Sequence, residues 1–167
     1  LDVAYGRKGA TWALRKAALL AMVKTDSALF VKRASAWLKG NGTSDKVIDP
    51  REKIVALQGW GMLEVKDPFV FQQALNDAKP EVVAAALRAW QQRGGNHPLL
   101  LAAARERLRH PSVMVREAAV GVLDSLADIS DLDGFLAAWQ LGTSANSITD
   151  RIAIIKVLAH LDARAPE

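Results

Sequence analysis

The sequence predicts an all-α fold made of stacked helical hairpins. Three observations carry that expectation. Half of the residues are apolar, and alanine and leucine far outnumber tyrosine, threonine and isoleucine, a bias toward helix over strand. Prolines open the apolar-periodic segments, while glycines gather between them. Above all, segments of nearly the same length recur about thirty residues apart, most plainly over residues 80–127.

After an irregular lead at 1–9, a helix is expected from Thr11 through Trp12, Leu14, Ala17, Ala18, Leu20 and Ala21. Asp26 or Ser27 can cap the next helix, because a short side-chain oxygen accepts from the free N–H groups of a first turn. That helix runs to about Lys39, with Phe30, Ala34, Trp37 and Leu38 on one face, and Gly40-Asn41-Gly42 ends it. Residues 40–48 read as the longest polar loop. Asp49-Pro50-Arg51-Glu52 is a strong start: Asp49 as cap, Pro50 at the first helical position, Glu52 in reach of the cap backbone. The two glycines beside Trp60 either weaken that helix's end or admit a close neighbour. Asp67-Pro68 opens a second capped helix, placing Phe71, Ala74, Leu75 and Ala78 on one face. Helices are then expected from Pro80 to about Gln92, broken by Gly94-Gly95; from Pro98 to Arg109; and from Pro111 to about Ala127. Ser130 or Asp131 caps one through Phe135, Leu136 and Trp139, and Ser147-Ile148-Thr149-Asp150 resembles a capping box that starts the last. The hairpins therefore span about 11–39, 50–78, 80–109 and 111–141, with a final helix at 147–161.

Laid on one register, Ala56, Leu57 and Trp60 fall on Ala86, Leu87 and Trp90, and then on Ala118, Ala119 and Val122. In the second helices Phe71, Ala74 and Ala78 fall on Leu101, Ala104 and Leu108, and Phe30 fits over Phe71. A hairpin with two apolar faces cannot cover both alone, so such units stack and share a continuous core. A simple four-helix bundle needs no thirty-residue register.

The run His110-Pro111-Ser112-Val113-Met114-Val115-Arg116-Glu117-Ala118-Ala119-Val120, together with the Asp49-Pro50 and Lys79-Pro80 starts, resembles the HEAT-repeat family and its bacterial HEAT-like relatives. Ala84 stands where the second hairpin would have the arginine of the valine–arginine pair. The resemblance implies an α-α superhelix, a solenoid of about four stacked hairpins plus a final helix. Residues 1–167 would be a single repeat domain, a fragment or domain of a longer chain, since the sequence begins at Leu1. It further implies a concave side lined by second helices that binds protein, peptide or nucleic acid.

Composition narrows the chemistry. There is no cysteine, which removes disulfides, thiol catalysis and cysteine–zinc sites. No apolar run approaches the ~20 residues of a membrane span. The run 17–23 follows basic residues but is closed by Lys24 without a small-residue cleavage pattern, so it is no signal peptide. A cytoplasmic location is expected, although a disulfide-free periplasmic domain would look the same. The net charge of +4 is polarised: residues 1–46 carry +6 and residues 117–167 carry −5, unlike a uniformly basic nucleic-acid binder. His97, His110 and His160 are far apart in sequence, and no histidine–carboxylate pair has ligand spacing on one helix, so no metal is expected. The histidine–glutamate repeats of HEAT-like iron hydroxylases are missing. Neither a nucleophile elbow nor a phosphate loop is present. The expectation therefore leans away from an enzyme, with no catalytic residue and no cofactor.

On the second helices, opposite the apolar stripes, lie Lys32, Arg33 and Lys39, then Gln72, Gln73 and Asn76, then Arg105, Arg107 and Arg109. Arg105 and Arg109 are four apart and share a face. The candidate binding set is Lys32, Arg33, Lys39, Gln72, Gln73, Asn76, Arg105 and Arg109, suited to an acidic peptide or a phosphate backbone. The alternative is a solvated polar face. The expected function is a non-enzymatic protein–protein interaction or scaffold module. The second reading is nucleic-acid binding of the kind found in HEAT-like alkylpurine DNA glycosylases, with Asp77 or Asp124 as the acidic residue. A tetrapyrrole lyase is a third, without a residue to mark it. The five tryptophans read as core, Trp12 least so, and the last helix lacks a visible partner, leaving an apolar edge for association or for further repeats.

Overall fold

The computed structural model describes residues 11–38, 48–63, 69–94, 97–124, 126–142 and 148–162. Among them every regular element is helical. The α-helices are α1 (Trp12–Thr25), α2 (Ser27–Leu38), α3 (Pro50–Gly61), α4 (Phe69–Leu75), α5 (Pro80–Gln92), α6 (Pro98–Arg107), α7 (Val113–Leu123), α8 (Leu132–Leu141) and α9 (Ile148–Asp162), with a single 3₁₀ turn at Ile129–Asp131 before α8. No helix among the described residues is long and apolar enough to cross a membrane.

The helix starts follow from local chemistry. Thr11 accepts from the Leu14 N–H, Asp26 from Leu29, and Asp49 from Arg51, with Pro50 in the first turn where its missing donor costs nothing. His97 caps α6 through Nδ1, which accepts from the Leu99 N–H at 3.2 Å. At its far end α5 runs out at Gln92, and Gly94 has φ of +138°, a conformation that glycine adopts without a Cβ penalty.

The chain divides into two compact units, Leu1–Arg93 and Gly94–Glu167. In the first, α3 packs on α1, α2 and α5, α4 packs on α2 and α5, and α1 packs on α2. First helices of successive hairpins are thus neighbours, α1 to α3 to α5, and so are the second helices α2 and α4. Two aromatic pairs repeat with this order. Trp60 of α3 lies against Phe30 of α2 with ring centroids 6.5 Å apart, and Trp90 of α5 stacks on Phe71 of α4 at 5.5 Å and 13°. In each pair a first-helix tryptophan meets the second-helix phenylalanine of the hairpin before it. The glycines beside Trp60 are close-approach positions. A Cβ on Gly59 would collide with the Phe30 ring, and one on Gly61 would stand 2.7 Å from the Ala89 carbonyl oxygen of α5.

In the second unit α7 is central, packing on α6 and α9, while α9 also packs on α8. Phe135, Leu100, Leu108, Leu123 and Ile154 are fully buried there. Arg116, on the first turns of α7, is buried as well. Its guanidinium donates to the His110 and Pro111 carbonyl oxygens at 3.0 and 2.9 Å, tying α7 to the turn before it. The division falls within the expected hairpin 80–109, between α5 and α6.

Several details differ from expectation. Helix α4 stops at Leu75, so Ala78 lies beyond it and is exposed, while Phe71, Ala74 and Leu75 are buried as a face. Asp77 explains the stop: it accepts the Lys79 N–H and the Lys53 ammonium, holding a turn where the helix would have continued. Helix α7 begins at Val113 and ends at Leu123 rather than running 111–127. Asp131 is the N-cap residue of α8 as expected, but its side chain makes no cap bond to that helix; the 3₁₀ turn before it has its own cap, Asp128. The Asp67-Pro68 start, the loop 40–47 and Ser147 lie outside the described residues.

Candidate partner-binding surface

The expected binding residues fall in both units, and each set is described within its own. In the first unit Lys32 is exposed on α2, on the side away from the buried Phe30 and Ala34, and Arg33 is half-buried beside it. On α4, Gln72 and Gln73 are half-buried, and Asn76 just past the helix end is exposed. Since α2 and α4 pack together, the cations and the amides sit on adjacent helices. The Oε1 of Gln73 is buried with no hydrogen-bond partner among the described residues. Lys39 lies outside the described residues.

Sequence reasoning missed Phe69. It is 51% exposed on the first turn of α4, four residues from Gln73 and seven from Asn76, on the side opposite Phe71. The signal was present in the Phe69-Val70-Phe71 run: a single helix face cannot bury all three. Together, α2 and α4 offer cations, carboxamides and one half-exposed aromatic ring.

In the second unit Arg105 already has an anionic partner. Its Nε lies 2.6 Å from an oxygen of Asp131, its second nitrogen reaches the other oxygen at 3.1 Å, and Asp128 stands 3.5 Å away. The Asp131 side chain is buried and also accepts the Asp128 N–H. The Asp131 bond, outweighing desolvation, keeps the Arg105 guanidinium more firmly protonated than usual. Arg105 is therefore the fork that joins α6 to the turn before α8, in bidentate geometry. Arg107 is likewise engaged, donating to the Ala103 carbonyl and facing Glu106 at 2.9 Å. Arg109 is exposed just after α6.

The acids nominated for the nucleic-acid reading each have a side-chain neighbour, firmly held only for Asp77. Asp77 holds Lys53 at 2.6 Å, and Asp124 faces His160 at 3.3 Å. Trp60 and Trp90 are buried. Trp12 and Trp139 are half-buried beneath guanidinium groups, Arg51 at 5.1 Å and Arg151 at 4.8 Å from the ring centres, a cation–π arrangement. No group of three or more metal-binding side chains exists among the described residues. On α9, Ile148, Ile152 and Ile155 are exposed at i, i+4, i+7 spacing, while Ile154, Val157 and Leu161 are buried.

The chain matches no family model, no curated protein and no solved structure.

Proposed function

We propose that this chain is a non-enzymatic interaction module of HEAT-like, solenoid architecture, and that the α2–α4 side of its first unit binds an acidic segment of a protein partner. The observation that carries the reading is the combination on two adjacent helices of Lys32 and Arg33 with Gln72, Gln73, Asn76 and the half-exposed Phe69. Carboxylates suit the cations, the carboxamides suit a peptide backbone, and an exposed ring gives an apolar anchor. Within the first unit, stacking of first helices on first helices and second on second supports a solenoid-like side formed by α2 and α4. The nucleic-acid reading is the weaker one. Asp77 is engaged by Lys53, Trp60 and Trp90 pack inward, Trp12 and Trp139 lie under arginines, and the charge is polarised rather than uniformly basic.

The test is fluorescence anisotropy with labelled peptides, acidic ones bearing a phenylalanine or leucine against neutral ones of the same length, and with a DNA duplex. The acidic peptide is expected to bind best. Lys32→Glu should weaken it by roughly tenfold, about 1.4 kcal/mol, and added salt should weaken it further. Arg109→Glu probes the second unit in the same assay. Arg105 is left intact because Asp131 depends on it. Equal binding of acidic and neutral peptides, or a Lys32→Glu variant that binds like the parent, would dispose of the reading. Duplex binding with a steep salt slope would replace it with the nucleic-acid one.

A further inference from the structure

Several helix starts and turns of this chain use one bond: a side-chain acceptor takes the backbone N–H two residues on. Asp49 takes Arg51 at 2.9 Å, Asp77 takes Lys79 at 2.9 Å, and Asp128 takes Ser130 at 2.8 Å. At two positions, both directly before a proline, the acceptor is instead an imidazole Nδ1. His97 takes Leu99 at 3.2 Å and His110 takes Ser112 at 3.0 Å. The two lie on either side of α6, one opening it and the other in the turn that joins it to α7.

The two kinds of acceptor answer differently to acid. A carboxylate keeps its lone pairs until well below neutrality. The Asp49 carboxyl is held below its ordinary range by the Arg51 side chain and N–H, and that of Asp128 by the hydroxyl and N–H of Ser130. A neutral imidazole has one lone pair, and protonation turns that nitrogen into a donor facing a donor. Around His110 the effect is compounded. Arg107 of α6 and Arg116 of α7 already face it, and Arg116 donates to the carbonyls of His110 and Pro111 themselves. An imidazolium there adds a third positive charge to one turn. Arg107 has Glu106 as its partner, and α9, which packs on α7, brings His160 to Asp124 rather than an acid to His110.

We propose that the His110–Pro111 junction is an acid-responsive element: as His110 protonates, the bond that holds the α6–α7 turn is lost, and the second unit loosens there while the carboxylate-capped first unit stays closed. Burial, with Arg107 and Arg116 adding to it, favours the neutral form of His110 in the fold and lowers its pKa. The folded state then binds fewer protons than the unfolded one, so stability rises with pH. The contribution of His110 is complete above its ordinary value of 6.5 and is lost as pH falls through the lower folded value. Arg109 belongs to this turn, so its presentation changes with it.

Hydrogen exchange on the whole chain, at about pH 7.5 and about pH 5.5 with intrinsic rates divided out, is the test. The backbone N–H groups over 110–116 are expected to lose protection by roughly tenfold at the lower pH, and those over 49–54 and 77–83 to keep theirs. The variant His110→Asn keeps an acceptor oxygen that does not titrate, and its response should shrink to under about twofold. His160→Asn removes a different histidine and should leave the response as it is. Equal loss in both units, no loss in the wild type, or an undiminished response in His110→Asn would each overturn the proposal.

Discussion

Single residues set how closely these helices approach. Gly61 lets α3 and α5 touch backbone to backbone, since a Cβ there would meet the Ala89 carbonyl oxygen at 2.7 Å. Backbone cannot swing aside as a side chain can, so Gly61→Ala must part the two helices. The expected cost is about 1–3 kcal/mol, the range for overpacking a close contact. Gly121 on α7 is the internal control: nothing lies within 4 Å of its ideal Cβ. There alanine's better helix propensity should raise stability by up to ~1 kcal/mol. Chemical denaturation of the two variants checks both signs, and destabilisation at Gly121 or none at Gly61 would show the approach to be misjudged. This pair also marks the reach of sequence. Gly-Trp-Gly leaves fraying and close approach equally open, because periodicity records which face is apolar but not how near the neighbour comes. Trp60 is read correctly as core from its spacing alone. Arg116 is not read as buried, because its partners are carbonyl oxygens, present at every position and so invisible in composition.

At the level of elements, the starts of helices are legible and the joints between them are not. Asp49-Pro50 caps where it is expected to, because capping is settled within three residues. The joint between α6 and the turn before α8 depends on Arg105 meeting Asp131, twenty-six positions later. No local pattern encodes that distance, and a charged residue opposite an apolar stripe reads as a free ligand-binding cation. The structure gives it a different task, with a measurable consequence. Asp131 is only 5% exposed, and Arg105→Ala leaves its carboxylate enclosed with its strongest partner gone. The expected loss is about 2–4 kcal/mol, because a buried charge stranded by removal of its partner costs more than the pair is worth. The paired replacement Arg105→Met/Asp131→Leu strands no charge and should recover much of that loss. Urea denaturation of the single and double variants decides it. Equal destabilisation in both would mean that the arginine contributes mainly through its packed stem.

At the level of the molecule, the question is whether a repeat in the sequence is a repeat in the packing. All-helical character follows from composition and from the spacing of prolines and glycines, and it is what the structure has. The first unit carries the repeat further: first helices neighbour first helices, second neighbour second, and Phe30–Trp60 is followed by Phe71–Trp90. Those pairs are separated by thirty and nineteen positions in the chain, because the polar run 40–48 lengthens the link between the first hairpin and the second. A register that survives such a difference in length belongs to the packing, not to the numbering. Double-mutant cycles can measure it. Phe30→Leu with Trp60→Leu, and Phe71→Leu with Trp90→Leu, should each show a coupling of about 0.5–1.5 kcal/mol beyond the sum of the single changes. The crossed cycle, Phe30→Leu with Trp90→Leu, joins residues that share no ring contact among the pairs seen here, and should be additive to within about 0.5 kcal/mol. The stacked geometry at 5.5 Å and 13° should make the second cycle at least as strong as the tilted first one at 6.5 Å. If the crossed cycle couples as strongly as the other two, the four rings act as one undivided core. The hairpin would then not be the unit of stability, and a partner-binding side could not be assigned to successive second helices.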